Sequence, residues 1–288
     1  MKRFLAIALL GLSIPSFATQ PPAGDRPPTG DLHIAHRLPS GFDSSYRLYV
    51  PENWKPGDRW PLVTILHGGG GDENSPFDRT PGFREKIEAA ARRHHFILLS
   101  PRGNKGWFGA RMIPEGDARP IGPGIYRWPP AGAITGPSPR LPPLSDEDLA
   151  VSEEDAIATA DAVRQAYGTD PARNFLVGNS AGSIATLHLV QAHPGRWCAI
   201  APSDGPMDPA TYPYARARGA IRAALFVHGD DDRTAPIESM RTIAEGFRGA
   251  GVPTRFITVK GGAHDTSWHI ALPRIFSFFA SQRCPAQR

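Results

Sequence analysis

Four short stretches of this chain hold the residue types of a serine-based nucleophilic reaction, and they occur in a telling order. In "NFLVGNSAGSIATL" a serine, Ser180, stands between Gly178 and Gly182 where an apolar run passes into helix-like sequence. That is the G-x-S-x-G form of a nucleophile elbow, a tight strand-to-helix turn that exposes the hydroxyl above a sheet. A serine hydroxyl is a weak nucleophile until a base takes its proton, and the base is commonly a histidine oriented by a carboxylate. Downstream, "VHGDDDRTAP" places Asp230, Asp231 and Asp232 just past an apolar segment, and "VKGGAHDTSW" places His264 after a Gly261-Gly262 pair. His269 is a competing base, but it falls where the last helix should start and aims less freely. Upstream, "LHGGGGD" follows another apolar segment. Backbone N–H groups near Gly69, with that of Ala181 after the serine, could hold a tetrahedral oxyanion.

Taken singly, each stretch has an ordinary explanation: a turn, an acidic loop, a loop histidine. The glycine run could also cradle a phosphate, but the lysine and the serine or threonine of a P-loop are missing. The order Ser, Asp, His is what joins the pieces.

These residues need elements to position them, and the chain supplies strands and helices in alternation. "PLVTILHGG" and "FILLSP" are continuous apolar runs, as buried parallel strands should be. "SSYRLYVP" alternates Tyr46, Leu48 and Val50 with Ser45, Arg47 and Tyr49, which predicts an outer strand with one solvated side. Helices are expected over 83–95, 146–167, 183–192, 237–248 and 270–282, with a further helical stretch between the strands "WCAIAPSDG" and "AALFVHGDD". "NFLVGN" and "TRFITVKGG" complete the strands. Such alternation predicts a doubly wound, mostly parallel sheet with helices on both faces.

Residues 102–145 interrupt the pattern with prolines at 114, 120, 123, 129, 130, 137, 139, 142 and 143. Neither helix nor strand should run far through them. A long insertion after the C-terminal end of a strand is placed where open α/β sheets bind ligands, although a surface insertion without function has the same composition. Its Trp107, Tyr126 and Trp128 offer flat apolar contacts to a ring or polymer chain.

The first 18 residues read as a secretory signal: Lys2 and Arg3, an apolar run from Phe4 to Ile14, then Ser16-Phe17-Ala18 as a cleavage site. A Pro- and Gly-rich leader over 19–31 and one domain over 32–288 should follow, exported to the periplasm or beyond. No later apolar segment approaches the length of a membrane span. The formal net charge of +4 falls by two when Lys2 and Arg3 are removed. With no basic stripe interleaved with aromatics, nucleic acid is not an expected partner. Two cysteines, Cys198 and Cys284, suit a single bridge in an oxidising compartment, or two unrelated thiols. No zinc-spaced Cys or His cluster occurs, so neither a metal nor a cofactor is expected.

With "LHGGGGD", "GNSAG", "HGDDDRTAP" and "GGAH" in order, the chain resembles the α/β-hydrolase fold. It is most similar to secreted bacterial esterases of the polyhydroxybutyrate-depolymerase and feruloyl-esterase type. "EEDAIATADAVRQAYGTDPARNFLVGNSAG" is similar to that family's acidic helix, turn, strand and elbow. The family's carboxylate pattern, H-G-x-x-D-x-x-x-P, falls on Asp232 and Pro236, and its histidine on His264. The resemblance implies ester hydrolysis by Ser180, Asp232 and His264, acting on a small-molecule or polymeric ester. Ala181 stands where many depolymerase-like members have asparagine. The Trp-Pro-Gly that commonly follows "GGGH" is also absent; Trp268 lies nearby and joins the substrate-contact candidates. A serine peptidase or an acyltransferase would share the same three residues, while a non-catalytic binding protein on this fold would usually have lost one.

Overall fold

Mostly branched and apolar residues over Leu62–Leu66, Ile97–Pro101 and Ala223–Gly229 leave no continuous polar face for water, and each segment is buried throughout as a strand, Thr64, Ser100 and His228 included. The structure, a computed structural model, describes residues 27–104, 106–130 and 144–285. The expected signal and most of the leader lie outside the described residues.

The strands are β1 (Gly30–Arg37), β2 (Asp43–Val50), β3 (Leu62–Leu66), β4 (Ile97–Pro101), β5 (Arg111–Ile113), β6 (Ile125–Arg127), β7 (Asn174–Asn179), β8 (Ala199–Ser203), β9 (Ala223–Gly229) and β10 (Thr254–Val259). The helices are α1 (Ser75–Asp78), α2 (Phe83–His94), α3 (Asp146–Tyr167), α4 (Ala181–Ala192), α5 (Ile237–Gly249) and α6 (Ser267–Ala280). Eight strands form one sheet in the order β1-β2-β4-β3-β7-β8-β9-β10. β2 is antiparallel to both its neighbours, and the strands from β4 to β10 are parallel.

Alternation along the central strands sends side chains into two cores. Val63, Ile65, Phe175, Val177, Leu225 and Val227 pack against α2 and α6, while Leu66, Leu176, Ile200 and Phe226 pack against α4 and α5. Helix α3 is fixed at both ends. Ser145 and Asp148 form a reciprocal capping box at its start, and Gly168, at φ 60°, closes it in the left-handed conformation. Among the described residues no helix is long and apolar enough to cross a membrane.

Two sequence expectations fail at the first edge. The outer strand is β1, so the last residues of the supposed leader, Gly30 and Asp31, belong to the sheet. The β2 face carrying Arg47 is not solvated either. Arg47 is fully buried, bonded to Asp31 and Asp78 and stacked over Phe77, so two carboxylates hide a charge that the sequence pattern placed in water. The helix expected between β8 and β9 is instead two 3₁₀ turns, Pro209–Thr211 and Tyr214–Ala217. Pro206, Pro209 and Pro213 forbid a longer run.

The described part of the insertion is tied to the body. β5 and β6 make a small parallel ribbon. The N–H of Gly103 donates to buried Asp155 at 2.7 Å, and that of Phe108 donates to Ser152 on α3 at 2.8 Å. Tyr126 Oη meets His188 Nδ1 on α4 at 3.2 Å, and the other nitrogen of His188 lies 2.9 Å from Glu153 on α3. The loop after β4 therefore reaches the top of the sheet on fixed supports.

Candidate active site

Ser180 sits between β7 and α4 with φ 55° and ψ −117°, a conformation sparsely populated for any residue but glycine. Space decides its neighbours. A Cβ on Gly178 would run into the carbonyl of Gly182, and one on Gly182 would come within 2.7 Å of the carbonyl oxygen of His67. The two glycines thus let β7, α4 and the end of β3 meet around one turn, with the serine hydroxyl outward at the start of α4.

His264, in the loop between β10 and α6, has Nε2 at 2.8 Å from Ser180 Oγ and Nδ1 at 2.8 Å from Asp232 Oδ2. Asp232 lies in the loop after β9, where its Oδ1 accepts the N–H groups of Thr234 at 2.8 Å and Ala235 at 2.9 Å. Burial opposes its charge, but hydrogen bonds from His228 and His264, the charge of His264 and the Ala235 N–H outweigh it. They hold the carboxyl well below its usual range. For His264 burial favours the neutral ring, yet the bond to Asp232 and the charges of Asp232, Asp204 and Asp265 prevail and push it up. Nδ1 carries a hydrogen to the carboxylate, so Nε2 is left to accept the serine proton.

The neighbouring candidates fall elsewhere. Asp230 accepts the Gly261 N–H at 2.6 Å, and Asp231 faces Arg233 at the surface. His269, in the first turn of α6, lies 3.3 Å from Thr80 Oγ1 and packs on Phe83, and burial pushes it down to about 4.

The glycine loop after β3 lies across from the elbow. A Cβ on Gly69 would stand 4.0 Å from Ala181 Cβ and 3.9 Å from Trp107 Cζ2, which brings the two expected oxyanion donors and one aromatic together. His67, buried beneath them, fixes the loop with Nδ1 at 2.9 Å from the Gly68 carbonyl and Nε2 at 2.8 Å from that of Arg102. Sequence reasoning passed over His67, although it opens the same "HGGGG" run.

Of the four aromatics proposed to touch substrate, Trp107 and Trp128 are half-buried and meet edge to face at 5.7 Å between centroids. Tyr126 does not belong with them. It is fully buried, stacked with Tyr212 and bonded to His188 on α4, whereas Trp128 is only partly covered by the same core. Trp268 is 6% exposed and wedged against Phe83 and His269; it borders a cavity of about 30 Å³ that also reaches Gly68, Asn179 and Asp265. A water molecule or two would fill that space, not a ring. Trp268 is a core residue beside the site.

Cys198 and Cys284 form a disulfide, with Cα atoms 5.4 Å apart across 86 residues of sequence. Cys198 precedes β8 and Cys284 follows α6, at the sheet end opposite Ser180. Among the described residues one group could offer metal ligands, Asp204, His228 and Asp232. Both Asp232 oxygens take hydrogen bonds, from His264, Thr234 and Ala235.

Strand order, the antiparallel second strand and the elbow between β7 and α4 together define the α/β-hydrolase fold. Solved structures share it. A thermostable esterase superposes with a TM-score of 0.61 at 21% identity, covering 88% of this chain; the chain spans 63% of that esterase's length. The S-formylglutathione hydrolase of Staphylococcus aureus gives 0.61 at 14% identity, over 88% of this chain and 99% of its own. A feruloyl esterase module from Clostridium thermocellum, complexed with sinapinate, gives 0.59 at 12% identity, over 94% and 95%. No family model matches the chain, and no curated protein matches its sequence.

Proposed function

We propose that this protein hydrolyses carboxylic esters through an acyl-enzyme on Ser180. The observation that carries the reading is the line from Ser180 Oγ through His264 to Asp232, with 2.8 Å at each junction. In acylation Ser180 Oγ attacks the ester carbonyl while His264 Nε2 takes the hydroxyl proton, and the carbonyl π pair moves onto oxygen. The N–H groups of Gly69 and Ala181 receive that oxyanion. Collapse breaks the bond to the alcohol oxygen, which leaves with the proton from His264. Water then repeats the sequence on the acyl-enzyme, releasing the acid and restoring the serine. Asp232 keeps His264 in the tautomer that accepts at Nε2 and stabilises the imidazolium formed at each transfer.

The Trp107–Trp128 pair beside Gly69 favours a flat, apolar substituent on the ester, as in an aryl or arylacryloyl ester, over a charged one. The apolar segment at Phe4–Ile14 and the Cys198–Cys284 disulfide both favour work outside the cytoplasm. A direct test is release of p-nitrophenol from p-nitrophenyl butyrate by the purified protein, beside a fluorophosphonate probe that labels activated serines. Turnover with labelling at Ser180 supports the reading. A folded protein that neither turns over nor takes the label would overturn it.

A further inference from the structure

Behind the Asp232–His264 pair lies a second histidine and carboxylate that the reaction above does not use. His228, near the end of β9, is fully buried, and its Nε2 stands 3.3 Å from Asp232 Oδ2, the oxygen that also receives His264. The same nitrogen is 3.1 Å from the Ala235 carbonyl and 4.0 Å from Asp204 Oδ1. All three neighbours are acceptors, so Nε2 bears the hydrogen, while Nδ1 is buried with no hydrogen-bond partner. Nε2–H donates to the Ala235 carbonyl, and its edge lies against Asp232 Oδ2, whose carboxylate takes hydrogen bonds from Thr234, Ala235 and His264.

Asp204, just past β8, is equally buried and has φ 52° without being glycine. Three bonds hold it there: its N–H donates to the Val227 carbonyl, Oδ1 accepts the Gly229 N–H at 3.1 Å, and Oδ2 accepts Ser203 Oγ at 2.5 Å. Keeping a carboxyl dry and its backbone strained costs free energy that packing alone does not return.

We propose that His228 and Asp204 are positioning residues for the hydrolysis: His228, 3.3 Å from Asp232 Oδ2, holds that carboxylate in line with His264, and Asp204, 4.0 Å from His228 Nε2, sets a second buried carboxylate behind the pair. This inference rests on the hydrolase reading of Ser180. Burial is the main cause that pushes the Asp204 carboxyl up to about 6, so its charge is present above that pH and lost below it. The titratable groups facing Asp204 are His228 and Asp232, and those facing His264 are Asp232, Asp204 and Asp265.

The two roles displace the pH dependence in opposite directions. Without the His228 donor, Asp232 holds the His264 proton more tightly; without the Asp204 charge, that proton is held less tightly. The experiment is kcat and KM against pH for His228→Met, His228→Gln and Asp204→Asn, each confirmed folded by a cooperative melt. His228→Met should lower kcat roughly tenfold with KM little changed and raise the acid-limb midpoint of kcat/KM by roughly half a unit. His228→Gln, which keeps a donor where Nε2 was, should restore both. Asp204→Asn should lower the midpoint by roughly half a unit. A folded His228→Met with unmoved midpoint and kcat, or an Asp204→Asn profile that superimposes on the wild type, overturns the inference. If His228→Met does not fold, the isosteric Asp204→Asn decides alone. A Ser180→Ala variant that kept full activity would defeat the hydrolase reading itself, whatever these variants did.

Discussion

Asp232 and His264 meet at 2.8 Å between Oδ2 and Nδ1, although they sit in loops after different strands, β9 and β10. That contact selects one carboxylate from a run of three. Asp232→Asn should lower kcat by about 10⁴-fold, because an amide in this place favours the wrong tautomer of the ring. Asp230→Asn should leave kcat within about twofold of wild type, since the Asp230 carboxylate accepts the loop N–H of Gly261 and no bond to His264 is seen among the described residues. Steady-state kinetics on the two variants checks the pair, and reversed effects would contradict the assignment.

The raised His264 also sets the pH dependence. Its neutral form accepts the serine proton, so kcat/KM should fall as pH drops through a midpoint above the ordinary 6.5. Stability runs the other way. The raised His264 contributes fully below its unfolded value of 6.5 and loses that contribution as pH rises through its folded value. The lowered Asp232 contributes above its unfolded value of 3.8 and loses it as pH falls. The pair therefore stabilises most between those values, below the pH at which the proposed hydrolysis should reach its plateau. The difference in Tm between wild type and His264→Ala should be largest in that window; a difference that grew above neutrality would contradict the sign.

Trp107 borders the glycine loop after β3 and leans on Trp128. Trp107→Ala should cut kcat/KM for methyl cinnamate by roughly 10- to 100-fold, the worth of a lost aromatic contact, and for methyl butyrate by less than about threefold. Equal losses on both esters would mean that Trp107 supports the loop and does not read the acyl group.

The disulfide joins cysteines 86 residues apart and closes a loop that holds β8, β9, β10, α5 and α6. Its removal by Cys284→Ser should cost roughly 4 kcal/mol of stability in the chain-entropy account. Thiol titration of the denatured, unreduced protein should find no free thiol, and two titratable thiols would contradict the bridge.

Much of this arrangement is legible in the sequence because parallel strands buried on both faces leave continuous apolar runs, and the loops at their C-terminal ends carry the chemistry. Helix α3 ends where Gly168 says it should, and β7 spans the residues that its apolar run marks. The misses share a physical cause: a polar residue looks the same in sequence whether water or a partner satisfies it. Arg47 pairs with Asp31 and Asp78 from other elements, so an inner strand imitated an edge. His228 and Asp204 likewise read as ordinary strand-end residues until the sheet brings Asp232 against them. Tyr126 and Trp128 are two residues apart in a proline-rich insertion, and only the docking of β6 on α4 decides which of them faces the core.

The central claim is that Ser180 is a nucleophile activated by His264. The most direct measurement is hydrolysis of p-nitrophenyl butyrate by the purified protein beside Ser180→Ala of equal thermal stability. Turnover is expected from the first, and a kcat lower by roughly 10⁴- to 10⁶-fold from the second. Turnover that survived the substitution undiminished would contradict it.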